Sequence, residues 1–378
     1  MNRRILYLTG TRADFGLMLP TLRRVDATPG LAVEICITGM HLSERFGNTY
    51  QEVLASGLNV VWRIDTSVDE DSTDGMARSA AQVALGFADC IREKRPDICM
   101  ILGDRWEALA GAMSAAVSGV PIMHVCGGER SGSIDDSMRH AISKLAHVHA
   151  VATEGSRERL LRMGEEPERI HVVGAPGLVG IRELATRRRE DLVHGFGLRA
   201  DQPIALLLFH PVVQDAAVAG HQVKAILDAL AARRFQAICL MPNADTGNGF
   251  IREALEASAA GRRSVKLARH LHRAEYLSLL ASVDILVGNS SSGIIEAASF
   301  GTPVVNVGDR QKSLERNANT FDCDVTTYAV EAAVAMAVQH PRNDCRNIFG
   351  DGQTDQRIAG LLAGLVLDAS FLKKSMSY

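Results

Sequence analysis

Short apolar runs alternate with longer amphipathic stretches along the chain. ILYLTG (5–10), VEICITG (33–39), ICMILGD (98–104), PIMHVCGG (121–128) and VHAVATE (148–154) are apolar runs closed by Gly, Asp or Glu. Runs of this length, bounded by turn residues, read as buried strands. WEALAGAMSAAVSGV (106–120) reads as a helix of small residues suited to close packing on a sheet. The pattern then restarts with IALLLFHP (204–211), FQAICLMPN (235–243), DILVGNSSSG (284–293) and PVVNVG (303–308). The helical stretches VKAILDALAARR (223–234) and AEYLSLLASV (274–283) lie between them. Strand–helix alternation predicts βα units and parallel sheets. The fold class is therefore α/β, with two Rossmann-like, doubly wound domains that share an architecture but no sequence repeat.

A chain of 378 residues suits two domains. The expected division is a first domain over 1–174, a linker over 175–202 and a second domain over 203–378 that includes a C-terminal helix. The linker contains RELATRRREDL, whose RRRED block reads as a solvated face. Sheets of this kind bind ligands beyond the carboxyl ends of their strands. The two domains are expected to face a central cleft there.

Charge narrows the partners. The net charge is −3, which does not suggest a nucleic-acid binder; an anionic ligand must be held by local groups. The seven cysteines, Cys36, Cys90, Cys99, Cys126, Cys239, Cys323 and Cys345, form no CxxC pair. They read as buried reduced thiols of a cytoplasmic protein. MNRRILYLTG has no signal-peptide character, and no apolar stretch approaches the ~20 residues that span a bilayer. No membrane association is expected.

The candidate chemistry falls just after the strands. TGTRADFG (9–16) is a strand-to-helix turn where N–H groups and Arg12 suit a diphosphate; the alternative is an ordinary turn with an exposed arginine. In LGDRWEAL (102–109), Asp104 either caps a helix or faces a ligand, with Arg105 beside it. HVCGGERSGSIDDSMRHAISKLAHVH (124–149) adds Glu129, Asp135 and Asp136, so that four carboxylates gather at adjacent strand ends. One of the two aspartates is expected to cap the following helix. The basic residues of that helix, Arg139, His140, Lys144 and His147, read either as solvated or as functional. His210 ends a strand in LLFHPV, and Asn243 and Asp245 follow another in LMPNADTG. In GNSSSGIIEAASFGTPVVNVGDRQ (288–311), the hydroxyls of Ser290, Ser291 and Ser292 and the helix start form a phosphate cradle. Glu296 lies one turn into that helix, placed for a ribose, and Arg310 follows the next strand. There is no GxxxxGK[ST] and no GxGxxG after the first strand, so NAD is not supported, and no zinc spacing occurs. Neither a cofactor nor a metal is expected.

These motifs, in order from residue 9 to about 311 and on into GDGQTDQRI (350–358), resemble the hydrolysing UDP-N-acetylglucosamine 2-epimerases. The resemblance implies a GT-B-like fold with UDP in the cleft. It implies Arg12, His210, Ser290 and Ser291 on the diphosphate, Asn243 lining the cleft, Glu296 on the ribose and Arg310 on the nucleotide side. Asp104 and Asp135 become the catalytic carboxylates, with Arg105 and Glu129 beside them; His210 assists by stabilising the leaving diphosphate. The implied partner is a UDP-sugar and the implied assembly a homodimer or homotetramer. One departure stands out: relatives carry an acidic residue or a His where this chain has Cys126, which shifts the second carboxylate role toward Glu129. The expected products are N-acetylmannosamine and UDP, on the route to sialic-acid-type sugars. A UDP- or GDP-linked 2,4-diacetamido-2,4,6-trideoxyglucose, on the route to legionaminic acid, is the alternative substrate. A GT-B glycosyltransferase, a non-hydrolysing epimerase and an inactive sugar-nucleotide sensor are the competing readings.

Overall fold

The computed structural model describes residues 2–132, 134–268, 271–342, 346–375 and 377. The chain forms two compact units. One comprises Met1–Arg130, Ile134–Val179 and Phe349–Tyr378; the other comprises Ser131–Ser133 and Gly180–Ile348.

The first unit is built on seven strands: β1 (Arg3–Thr9), β2 (Leu31–Thr38), β3 (Asn59–Ile64), β4 (Ile98–Leu102), β5 (Ile122–Val125), β6 (Val148–Val151) and β7 (Ile170–Val172). All pairs are parallel, in the order β3-β2-β1-β4-β5-β6-β7. Helices on both faces bury the sheet, so the inner strands are apolar on both sides. The small-residue helix forms as Trp106–Val117. A Cβ at Gly111 would lie 2.4 Å from the Leu8 side chain, so glycine lets this helix lie close on β1 without displacing that side chain.

The second unit has six strands: β8 (Ile204–Leu208), β9 (Gln236–Leu240), β10 (Val265–Ala268), β11 (Ile285–Gly288), β12 (Val304–Val307) and β13 (Thr320–Cys323). They too are all parallel, in the order β10-β9-β8-β11-β12-β13. Both orders reverse after the first strand pair, which creates a switch point between β1 and β4 and another between β8 and β11.

Two expectations about domain limits need correction. The C-terminal helix Thr354–Gly364 belongs to the first unit, where it buries Ile358, Ala359 and Leu362 in the same core as Met18 and Leu22 of the Arg12–Asp26 helix. Its apolar face was legible, but the core that it would join was not. The segment 180–202 belongs to the second unit instead of forming a separate linker, while its RRRED block (187–191) is largely exposed, as expected of a solvated face. Arg187 Nη1 lies 2.6 Å from Glu275 Oε1 and Arg189 Nη2 lies 2.7 Å from Asp284 Oδ2. Leu192 and Val193 of the helix Arg189–Gly195 are buried. The buried Leu192 and Val193, with these ion pairs at the edge, thus hold the segment on the second unit.

The described cysteines are free thiols, buried except for the partly exposed Cys323; Cys345 lies outside the described residues. Among the described residues no helix is long and apolar enough to cross a membrane.

Candidate active site

In the first unit the functional side chains cluster beyond the ends of β1, β4 and β5. The turn after β1 is closed by a capping box. Thr11 Oγ1 accepts from Asp14 N–H, and Asp14 accepts from the N–H groups of Thr11 (2.8 Å) and Gly10 (3.0 Å). Those two donors are therefore committed within the protein. The Arg12 side chain, at the start of that helix, remains the candidate for the diphosphate. Burial lowers the Arg12 guanidinium from its ordinary value, against the attraction of Glu52. Nearby, His41 bridges Thr9 (2.9 Å) and Thr49 (2.8 Å); burial drives its pKa down to about 3, so it is neutral.

Asp104 and Arg105 follow β4. Asp104 caps nothing: Arg105 is the N-cap of the next helix and makes no side-chain cap bond. Asp104 instead accepts from Arg139 Nη2. Arg105 turns back onto the buried Glu107, with Nε 3.1 Å from Oε2. Cys126, just past β5, holds a left-handed backbone at φ 60°. This conformation is uncommon for a residue with a Cβ. Three residues on, Glu129 Oε2 accepts from Arg139 Nη1 at 2.7 Å, and the same nitrogen donates to the Cys126 carbonyl at 3.1 Å. One buried guanidinium therefore joins Asp104, Glu129 and the backbone of Cys126.

The charges in this network are set mainly by burial. Burial raises the Glu129 carboxyl; Arg139 opposes the shift and Asp104 adds to it. Burial likewise pushes the Cys126 thiol well above its usual range, with Glu129 contributing. The thiol is thus a neutral group and not a nucleophile. Burial works against the Arg139 charge, but Asp104 and Glu129 outweigh it and hold the proton more tightly. His124 supports the Asp104 loop from below. Its Nε2 lies 2.7 Å from the Gly103 carbonyl and its Nδ1 3.0 Å from Ser143 Oγ. Burial lowers its pKa to about 3.

Asp135 and Asp136 are the first two residues of the helix Asp135–Leu145, whose N-cap is Ile134 with no side-chain cap bond. The expected cap is therefore absent, although both carboxylates still favour the positive helix end. Asp135 is half-buried, one turn before Arg139. Arg139 itself is buried, not solvated. Its signal was present in the sequence: it lies three residues before Ile142, on the apolar face of the helix.

In the second unit the corresponding side chains follow β8, β9, β11 and β12. Asn289 is the organiser that the sequence reading missed. Its Oδ1 accepts from His210 N–H (2.7 Å), and its Nδ2 donates to the His210 carbonyl (2.9 Å). The close approach behind this pair requires Gly288, at φ 145°; a Cβ there would lie 1.8 Å from the Leu208 carbonyl oxygen. His210 Nδ1 accepts from Asn243 N–H at 3.3 Å, which places the ring proton on Nε2. Asn243 Nδ2 donates to Asp245 at 2.6 Å. Arg310 Nη1 donates to the Asn289 carbonyl at 3.1 Å. Three of the predicted ligands, His210, Asn243 and Arg310, are thus tied into one hydrogen-bonded array.

Ser290 is the N-cap of a short helix, Ser291–Ile295, so the predicted helix ends one residue before Glu296. Glu296 is fully buried. It accepts from Arg273 through both oxygens and from Ser292 Oγ at 2.6 Å. Tyr276 OH closes this group by bonding to Ser292. Arg273 and Tyr276 were not singled out in the sequence, because they come from another helix; Ser292, expected in the phosphate cradle, donates instead to Glu296.

Two all-parallel α/β units, each with polar side chains gathered beyond its strand ends, define the GT-B-like class of two-domain α/β proteins. Residues 23–363 match the family model described as UDP-N-acetylglucosamine 2-epimerase. The chain is 42% identical over 378 residues, covering 100% of both sequences, to a UDP-N,N'-diacetylbacillosamine 2-epimerase (hydrolyzing) of Legionella pneumophila. It is 33% identical over 353 residues, 93% of this chain and 92% of the relative, to a UDP-N-acetylglucosamine 2-epimerase of Neisseria meningitidis. Its fold is similar to that of a crystal structure of UDP-GlcNAc 2-epimerase from Neisseria meningitidis bound to UDP-GlcNAc. The TM-score is 0.81 at 16% identity, over 96% of this chain and 100% of that one. The chain belongs to the UDP-N-acetylglucosamine 2-epimerase family.

Proposed function

We propose that this protein is a hydrolysing 2-epimerase of a UDP-linked 2-acetamido sugar, with UDP-N,N'-diacetylbacillosamine as its preferred substrate. The observation that carries the reaction class is the pair of carboxylates on one buried guanidinium, the partly exposed Asp104 and the buried Glu129 on Arg139. The full-length likeness at 42% supports the 2,4-diacetamido sugar. The 33% likeness to a UDP-N-acetylglucosamine enzyme supports the second reading, UDP-GlcNAc giving N-acetylmannosamine.

The chemistry explains the residue types. The C2 hydrogen is not next to a carbonyl, so it is not acidic in the substrate. The C1–O bond must break first, its electron pair leaving with UDP. Donors on the diphosphate stabilise that departing charge; we assign this to Arg12, His210 Nε2–H, Ser290 and Ser291, with Asn243 and Arg310 holding the array. We assign Glu296 to the ribose, which must displace its Ser292 bond. Positive charge at C1 then makes the C2 hydrogen labile. A carboxylate takes that proton, and the C–H electron pair forms the C1=C2 bond of a 2-acetamidoglycal. Water adds to C1, and a carboxylic acid protonates C2 from the opposite face. Asp104, Glu129 and Asp135 are the candidates for these two transfers, with Arg105 beside them. A glycosyltransferase needs no such pair of carboxyls.

The test is incubation of the purified chain with each sugar nucleotide in D2O, without an acceptor, followed by NMR. The expected result is free UDP and the 2-epimer carrying deuterium at C2, with the diacetamido sugar turned over at least about tenfold more efficiently, equivalent to ~1.4 kcal/mol. Absence of C2 deuterium sinks the epimerase mechanism. Preference for UDP-GlcNAc sinks only the substrate assignment.

A further inference from the structure

Arg139 is the buried charge that the proposed reaction has not yet used. Its three-way attachment, to Asp104, to Glu129 and to the Cys126 carbonyl, leaves two atoms over. Arg139 Nε and Glu129 Oε1 are both buried and have no hydrogen-bond partner among the described residues. A buried donor and a buried acceptor left unsatisfied are each costly, and native proteins retain such groups where something else engages them. The loop that presents Glu129 is fixed from two sides. Cys126 enters it in the left-handed conformation, and Arg159 Nη1 donates to the Gly128 carbonyl at 2.7 Å. Glu129 therefore has little freedom, and only one of its oxygens is committed.

We propose that Arg139 is the positioning residue of the acid–base site: it locks Asp104 and Glu129 into one array and leaves Glu129 Oε1 as the atom that exchanges the C2 proton. This rests on the epimerase reading above. In the elimination the C2–H bond breaks toward Oε1, its electron pair closes the C1=C2 bond, and UDP departs with the C1–O pair. Glu129 is then a carboxylic acid, still held through Oε2. Arg139 opposes burial and the neighbouring negative charge of Asp104, which both favour a protonated Glu129 that could not act as a base. The groups that face this array are Asp104, Asp136 and Cys126 around Arg139, and Arg139, Asp104 and Arg159 around Glu129. Tyr7 and Glu129 lie against Cys126, and His124 and His140 lie near Arg139. Burial favours the neutral form of His124 and of His140, so Arg139 and Arg159 are the cations that set the Glu129 proton.

The experiment compares full-length wild type, Arg139→Lys, Glu129→Gln and the double variant. The readouts are UDP release, C2 deuterium incorporation, the pH profile, and UDP binding by calorimetry. Lysine keeps the charge but cannot reach three acceptors from a rigid fork. The expected result for Arg139→Lys is a kcat loss of about 100-fold or more. KM and UDP affinity should stay within about threefold, and the acidic limb of the profile, set by Glu129 as the base, should move to higher pH. Glu129→Gln should abolish C2 exchange, and the double variant should be no worse than the more damaged single variant, because the two groups act as a unit. A wild-type pH profile in Arg139→Lys, or losses that multiply in the double variant, overturns the proposal. If Arg139→Lys does not fold, Glu129→Gln decides alone, and retained C2 exchange in it overturns the proposal. An inactive wild type sinks the epimerase reading itself. An active wild type with indifferent variants sinks only this inference.

Discussion

Asp104 makes its ion pair through Oδ2, on the most buried arginine of the first-unit site. Replacing it with Asn keeps the size and one acceptor but removes the charge and the proton capacity. We expect Asp104→Asn to lower turnover by about 100-fold or more, with UDP affinity within about threefold, because UDP is assigned to other residues. Isothermal titration with UDP beside a turnover assay checks this; near-normal turnover removes Asp104 from the chemistry. At this scale the sequence was informative about residue type but not about partners. Asp104, Glu129, His210 and Ser290 were all found after apolar runs, because strand ends are where α/β sheets present side chains. Arg139, Asn289 and Arg273 were missed or misread. Each acts on residues far away in sequence, and burial of a polar side chain cannot be seen in a linear pattern. The expected aspartate cap failed for a related reason: Ile134 took the N-cap position, so both aspartates moved into the first turn.

Among the elements, the four strands that the apolar runs did not reveal are β3, β7, β10 and β13. They are the edge strands of the two sheets. An edge strand is covered on fewer sides, so it needs no continuous apolar run; β3 has only one buried residue, Ile64. Inner strands are buried on both faces, and their composition gives them away. At the end of β11, Gly288 has no room for a side chain. Gly288→Ala places a methyl group 1.8 Å from the Leu208 carbonyl oxygen, at a φ that side chains rarely adopt. We expect this variant to lose UDP binding through displacement of Asn289 and His210, and to unfold at lower temperature. A wild-type UDP affinity with an unchanged melting curve contradicts that. The helix Thr354–Gly364 shows the opposite case: its apolar face was readable, but not the core that receives it.

Across the molecule, buried neutral histidines of the first unit make stability depend on pH. His41 and His124 are lowered from 6.5 to about 3, and His147 to about 4, mainly by burial. The unfolded chain therefore binds these protons more readily than the fold does. Stability from this source is complete above pH 6.5 and is lost as the pH falls from there toward 4 and 3. For His41 and His124 the loss is about 1.4 kcal/mol per pH unit and per group. Glu165, lowered to about 2 by bonds from His149, Lys144 and Lys374 that outweigh its burial, adds a loss only below about pH 4.5. Burial raises the Asp14 and Glu129 carboxyls, which pulls the other way, but hydrogen-bond donors and Arg139 restrain both. Calorimetric scans should show a melting temperature that is flat above pH 7 and falls steadily between 6.5 and 5. A curve flat through that window contradicts the neutral-histidine assignment.

The chain's own pattern determined the α/β class, the doubling of the architecture and the strand ends at which the chemistry collects. These follow from local periodicity and from the need to bury inner strands on both faces. Only the tertiary structure decided that the last helix joins the first unit and that segment 180–202 packs with the second. It also decided that a single buried guanidinium couples two carboxylates. Those outcomes depend on burial and charge pairing between residues distant in sequence, and no local pattern carries that information.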